Sequence, residues 1–403
     1  MRVCLLTGEF PPMQGGVGDF TKELGRALAE MGIEVSVITS VKARMQDTRP
    51  TMQDAGNVHR ASCIVHPVIE QWDWGSWRRI IGLLGKTCPD IVNIQYQAAA
   101  YGMHPAINFL PLRLQMSRHP CIRSAHPLTT FHDLRVPYLF PKAGRVRWWA
   151  ILALARWSDA AIVTNAEDWA TLSSYRFIRS LSIVPIGSNI SANPPAGFHR
   201  GEWRRRWDVS DDETLLSYFG FLSESKGGNT LIRALHRLVQ DGHKVKLLMV
   251  GGQVGSSDPT NLIYLQKVRR LIEELNLQDR VLWTGYTPQE GVSANLLASD
   301  ICVLPYRDGA SFRRGSFMAA LAHGLPIVST QPKVELPELS DGKNIALVPP
   351  DDPDALADRI RDLAASPEAR RQLGEGAKAL AETFSWGSIA ERTLQVYEEV
   401  LSL

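Results

Sequence analysis

A chain of 403 residues, 44% hydrophobic and 21% charged, is long enough for two independent cores, and its formal net charge of +2 gives no bulk attraction to nucleic acid. No apolar run reaches the roughly 18 residues that a membrane helix needs, and the first seven residues are too few for a signal-peptide apolar core and read as a strand. The five cysteines, Cys4, Cys63, Cys88, Cys121 and Cys302, form no CxxC pair or metal-ligand grouping, so reduced thiols in a cytoplasmic protein are expected.

A strand over 2–7 leads into a loop holding Gly15, Gly16 and Gly18, after which Phe20, Leu24, Leu28 and Met31 recur at helical spacing. Gly32 stops that helix and 33–39 is a second, β-branched strand. Such a β–loop–α–β start predicts a doubly wound parallel sheet. The loop lacks the G-x-G-x-x-G dinucleotide fingerprint, which argues against an NAD enzyme. It leaves a plain turn, or a loop at Gly15 and Gly16 whose backbone approaches a ligand closely. A third strand is expected from 63, an amphipathic helix over 77–84 and a buried parallel strand over 90–96. Gln97, Tyr101 and His104 follow the C-terminal end of that strand, where such sheets open their ligand crevice, and are candidate binding residues. The next strand, from 126, ends at His132 and Asp133. An imidazole beside a carboxylate there either caps the loop or orients a substrate and handles a proton near neutrality.

Over 142–157 the residues Lys142, Arg145, Arg147, Trp148 and Trp149 belong to a basic, aromatic helix. Two readings stand: one face buried with the arginines in water, or peripheral contact with the inner membrane face. Strands over 160–164 and 182–188 close this half.

Residues 189–207 hold prolines and neither periodicity, and read as an interdomain connection. Arg204, Arg205 and Arg206 between Trp203 and Trp207 are too isolated a cluster to indicate nucleic acid. A second alternating series follows, with strands over 214–219, 245–250, 281–285 and 299–305. Lys226 lies in a glycine-bearing loop entering a helix, a natural anion site. Ser311, Arg313, Arg314, Gly315 and Ser316 open another helix, where unpaired backbone N–H groups and two arginines attract a phosphate or diphosphate. Strands over 326–330 and 346–348, a helix over 352–363 and an amphipathic helix over 388–403 complete the chain.

In order, Gly15-Gly16-Val17-Gly18, Thr130-Phe131-His132-Asp133, Val184-Pro185-Ile186-Gly187-Ser188, Gly220-Phe221-Leu222 with Lys226-Gly227, Ser299-Asp300-Ile301 and Ala320-Leu321-Ala322-His323-Gly324-Leu325-Pro326 resemble the retaining, GT-B-fold glycosyltransferases of family four. The resemblance implies an α/β chain of two Rossmann-like doubly wound domains facing a central cleft. Residues 1–190 would bind the acceptor and 191–383 a nucleotide sugar, with a helix over 384–403 packing back toward the first domain. It further implies that the loop at Gly15 and Gly16 lies near the donor diphosphate, that His132 reaches the donor sugar, and that Lys226 neutralises diphosphate charge. No metal and no cofactor beyond the nucleoside-diphosphate sugar would be needed. The chain departs from the family pattern at Phe221, where an arginine is usual, and at Ser311 and Ala319, where two glutamates eight positions apart are usual. Arg313 and Arg314 could replace the missing phosphate partner, a charge-assisted contact being worth roughly 1.5–3 kcal/mol. The activity expected is hexosyl transfer to a sugar, lipid-linked sugar or small-molecule hydroxyl. Two alternatives share the fold: a non-catalytic nucleotide-sugar-binding or scaffold protein, and a sugar-nucleotide epimerase.

Overall fold

The computed structural model describes residues 1–13, 15–43, 63–134, 144–252 and 259–402. The chain forms two units, Met1–Gly187 with Ser385–Leu403, and Ser188–Phe384. The first begins β1 (Arg2–Thr7), α1 (Gly16–Glu30), β2 (Glu34–Ser40), β3 (Cys63–Ile69), α2 (Ser76–Thr87) and β4 (Ile91–Tyr96). It continues α3 (Leu110–Gln115), α4 (Pro120–Arg123), β5 (His126–Phe131), α5 (Gly144–Trp157), β6 (Ala160–Val163), α6 (Ala166–Ser173) and β7 (Leu181–Ile183). Its strands form one parallel sheet in the order β3-β2-β1-β4-β5-β6-β7. The order reverses between β1 and β4, the switch point at which open α/β sheets leave a crevice beyond their strand ends. β4 and β6 are buried along their whole length because helices cover both faces of the sheet.

The second unit holds α7 (Arg200–Arg206), β8 (Thr214–Phe219), α8 (Gly228–Gln240), β9 (Val245–Val250), α9 (Pro259–Glu274), β10 (Val281–Trp283), α10 (Gln289–Ala298) and β11 (Ile301–Leu304). It ends α11 (Gly315–Ala322), β12 (Ile327–Thr330), β13 (Ala346–Val348), α12 (Pro353–Ala365) and α13 (Pro367–Glu382). Its parallel sheet runs β10-β9-β8-β11-β12-β13, with the switch between β8 and β11.

Finally α14 (Trp386–Leu401) belongs to the first unit. Its Ile389, Ala390, Val396, Tyr397 and Val400 join Phe20, Leu24 and Leu28 of α1 in one apolar cluster on one sheet face. Tyr397 Oη accepts from Asn93 Nδ2 at 2.8 Å, so the hydroxyl is satisfied inside the core. The opposite face packs Ile80 and Leu84 of α2, Leu110 and Leu114 of α3, Ile122 of α4 and Ile151 and Leu154 of α5 into a second cluster.

Three sequence expectations need correction. The stretch 189–207 is not wholly connecting chain, since 200–206 is helical, and its arginine–tryptophan cluster is structural. Arg204 is buried against Asp300 at 2.8 Å, while Trp203 and Trp207 both donate to Asn295 Oδ1. The cysteines are not all free. A disulfide joins Cys88, at the end of α2, to Cys121 in α4, a proximity made by packing two helices 33 residues apart that spacing could not reveal. The basic helix starts at Gly144, and Lys142 lies outside the described residues.

Candidate active site

In the second unit, β8 and β11 flank the switch point and bring two helix-entry loops together. Gly227, at φ 69°, would drive a Cβ to 1.8 Å from Pro305 O, so only glycine lets the Lys226 loop seat against the start of the other. A backbone bond from Arg307 N to Ser225 O, 2.9 Å, ties them. Arg307 also pairs with Glu224 and Asp351, each at 2.9 Å.

The ammonium of Lys226 lies beside Gly220 and close to Ser316, the two atoms nearest a Cβ built on Gly220 being Lys226 Nζ at 3.2 Å and Ser316 Cβ at 3.6 Å. Lys226 has no carboxylate partner among the described residues. Burial, and then the Arg314 charge, push its pKa down to about 8. Arg314 stacks over the Tyr306 ring at 4.5 Å and pairs with Asp308, and Tyr306 Oη meets Ser316 Oγ at 2.7 Å. The N-cap residue of α11, Arg314, makes no side-chain capping hydrogen bond, and the helix's first turn begins at Gly315 and Ser316. An unpaired cation, a guanidinium and a helix N-terminus converge here, the electrostatic requirement for a phosphate.

Of the residues read from sequence, Lys226, Arg314, Gly315 and Ser316 therefore come together. Ser311 Oγ accepts from the Arg313 backbone N–H at 3.3 Å, a turn contact. Ala319 is fully buried, and Phe221 is half exposed beside Gly252.

In the first unit, the strand ends of β1, β2, β3 and β4 surround a cavity of about 480 Å³ lined by Glu9, Lys42, Glu70, Trp72, Asp73 and His104, among others. Trp72 Nε1 is buried without a hydrogen-bond partner among the described residues. His104 Nδ1 accepts from Ala106 N at 3.2 Å, which leaves its other nitrogen to carry the proton in the neutral ring. Tyr101 supplies a wall only. Its hydroxyl sits between the carbonyls of Leu6, 2.8 Å, and Gln95, 3.0 Å, and is committed to the core rather than to a ligand. Gln97 flanks the turn after β4 and is not among the lining residues.

His132 extends from β5, its ring edge-on to Phe20 at 4.7 Å and its Nε2 2.9 Å from Gln95 Oε1. Burial pushes its pKa down to about 3, which favours a neutral ring and, of the roles read from sequence, orientation by hydrogen bonding over proton handling. The imidazole is oriented by Gln95, on the neighbouring strand, and not by a contact read from adjacency to Asp133.

Gly15 and Gly16 open α1, but the anion at that helix start is the chain's own. Glu9 Oε1 accepts from Val17 N at 3.1 Å and Gly18 N at 3.4 Å. A Cβ on Gly15 would fall 2.0 Å from that carboxylate, which explains the glycine. Glu9 and Gln95 were both missed from sequence. Their signals were a carboxylate just beyond a strand end, and a polar side chain inside a buried strand.

Comparison with known proteins agrees with these two halves. Residues 199–380 match the family described as Glycosyl transferases group 1, and residues 14–191 match Glycosyltransferase Family 4. A D-inositol 3-phosphate glycosyltransferase of Corynebacterium diphtheriae is 22% identical over 100% of this chain and 96% of its own. An MMP alpha-(1->4)-mannosyltransferase of Mycolicibacterium hassiacum is 25% identical over 100% and 99%. The HepE protein of Anabaena in complex with UDP shares the fold at a TM-score of 0.71, with 16% identity over 100% of both chains. With each unit matched by one of the two family descriptions and both sheets built on the Rossmann pattern, the chain is a group 1 glycosyltransferase of GT-B fold.

Proposed function

We propose that the protein transfers a hexose, with retention, from a UDP- or GDP-type sugar to an uncharged hydroxyl acceptor. The observation that carries this reading is the part-buried Lys226, with no carboxylate partner among the described residues, beside Ser316 and the start of α11. Lys226 and Arg314 supply charge that offsets the departing diphosphate, which supports a metal-independent reaction. The bond from the sugar's anomeric carbon to the diphosphate breaks, a bond to the acceptor oxygen forms on the same face, and the acceptor proton passes to a diphosphate oxygen. His132, neutral, hydrogen-bonds a hydroxyl of the donor sugar and takes no proton itself. UDP bound to HepE is consistent with a nucleoside-diphosphate donor. The D-inositol 3-phosphate in one relative's name is a phosphorylated acceptor, and the reading for this chain departs from it on the charge of the first unit's cavity.

The acceptor is held in the first unit's cavity. There Glu9 and Asp73 outnumber Lys42, Glu70 being paired with Arg79 at 2.9 Å, so a phosphorylated acceptor would meet like charge. Trp72 offers an aromatic wall, the chemistry of a sugar or polyol site. The test is a thermal-shift screen of nucleoside diphosphates, then turnover on a donor and acceptor panel read by mass spectrometry. A rise in midpoint with UDP or GDP and a hexose added to unphosphorylated acceptors are expected. Binding without turnover on any acceptor would instead favour a binding protein of the same fold, and no nucleotide binding would remove the reading.

A further inference from the structure

The first unit is electrically two-faced. Over residues 91–158 the sequence holds a single acidic residue, Asp133, against seven arginines and one lysine. This stretch supplies α3, α4 and α5, packed on one side of the sheet, and none of these helices contains an Asp or Glu. On the other side, α1 and α14 carry Asp19, Glu23, Glu30, Glu391, Glu398 and Glu399 against only Lys22, Arg26 and Arg392.

The arginines of the basic side are also differently used. Arg113, Arg118, Arg123, Arg145 and Arg156 make no ion pair among the described residues, whereas Arg237, Arg307, Arg359 and Arg361 of the second unit each hold a carboxylate. Between them stand large apolar side chains in water. Trp149 and Val146 on α5 are each 73% exposed, and Met116, just past α3, is 69% exposed. Gln115 Nε2 donates to Trp157 O at 2.9 Å, which sets the end of α3 beside the end of α5. Trp148, by contrast, turns inward and donates to Tyr175 Oη at 3.0 Å. Beneath Val146 opens a largely apolar cavity of about 240 Å³ whose walls include Met103, Pro105, Ala150 and Ile151.

Unpaired guanidinium groups interleaved with exposed Trp and Val, on helices free of acids, have one complementary surface: phosphate headgroups above hydrocarbon. We propose that the α3–α5 face docks on a bilayer containing anionic phospholipid. Trp149 and Val146 enter the headgroup–acyl boundary, Arg145 and Arg156 pair with lipid phosphates at either end of α5, and the cavity under Val146 admits part of an acyl chain. No helix of the described residues is long and apolar enough to cross a membrane, so the association is at the surface. The inference rests on this face alone and not on the transfer chemistry.

Co-sedimentation of the full chain with vesicles of phosphatidylcholine, and of phosphatidylcholine mixed with phosphatidylglycerol, tests it. Binding to the mixed vesicles only, loosened by added salt, is expected. Arg145→Gln and Arg156→Gln should each weaken it about five-fold. Trp149→Ser should weaken it further, with the thermal midpoint and nucleoside-diphosphate affinity of every variant unchanged. Equal binding to pure phosphatidylcholine, no binding to either vesicle, or indifference to these substitutions would overturn the proposal. So would retention on DNA without vesicle binding, which would assign the face to a polyanion.

Discussion

Gln95 Oε1 faces His132 Nε2 at 2.9 Å across adjacent strands, so the buried amide decides which imidazole nitrogen carries the proton and leaves Nδ1 as a lone-pair acceptor. Gln95→Leu removes that control while keeping the volume. Transfer should fall by about ten-fold or more, the cost of one buried hydrogen bond left unmade, with nucleoside-diphosphate affinity unchanged. Gln95→Glu should raise the imidazole pKa from about 3 toward neutrality. The pH–rate profile, free of a His132 limb from pH 5 to 8 in the native protein, should then gain one.

Lys226 predicts the pH dependence of donor binding. Its folded pKa of about 8 lies below the ordinary 10.5, and a bound diphosphate favours the protonated form. Affinity should therefore hold below pH 8 and fall as pH rises through it, measured by calorimetry with UDP or GDP. Stability runs the other way. Without ligand the part-buried charge is a full cost below pH 8 and is relieved as pH climbs toward 10.5. Lys226→Met should raise the ligand-free stability at pH 7 by on the order of 2 kcal/mol and abolish the shift given by nucleoside diphosphate.

Glu9 caps α1 from a distance. Glu9→Ala should cost about 1 kcal/mol in denaturant unfolding, the usual worth of a helix N-cap. Gly15→Ala should cost as much or more, because its Cβ would displace the same carboxylate. The two losses should not add, since in the Glu9→Ala background the added methyl meets no carboxylate.

Arg204 and Asp300 form a buried pair with further bonds from Arg204 to the carbonyls of Glu213 at 2.6 Å and Ser210 at 3.2 Å. Burial would raise the Asp300 carboxyl, but the Leu215 N–H and the arginine outweigh it and hold it below the usual range. Its contribution is present above the unfolded carboxyl pKa and is lost as pH falls through the lower, folded one. Arg204→Ala should destabilise the second unit by about 3–5 kcal/mol, read as a lower unfolding midpoint at neutral pH.

Local pattern was enough for the two alternating series, because buried parallel strands such as β4 and β9 are continuous apolar runs and amphipathic helices such as α8 repeat at helical spacing. The helix-entry loops carrying Lys226 and Ser316 were legible for the same reason, their glycines and cations lying at the ends of readable strands. What escaped depends on partners distant in sequence. The Arg204 cluster needed Asp300 and Asn295, the disulfide needed α2 against α4, and Tyr101 needed the carbonyl of Leu6 to reveal that its hydroxyl was occupied. For His132 the sequence left loop capping, substrate orientation and proton handling open, and its partner Gln95 on the neighbouring strand, with burial pushing its pKa down to about 3, was not visible in the local pattern.

Since α14 completes the cluster around Phe20, Leu24 and Leu28, and Tyr397 closes onto Asn93, the first unit is discontinuous in the order of synthesis. A ribosome translates all of Ser188–Phe384 before these side chains exist. At about 5–20 residues per second, the early half waits on the order of 10–40 s with one sheet face uncovered. The later half has its whole sequence in hand first. Premature stops within α14 should therefore send the first unit to chaperones and proteases while leaving the second unit folded.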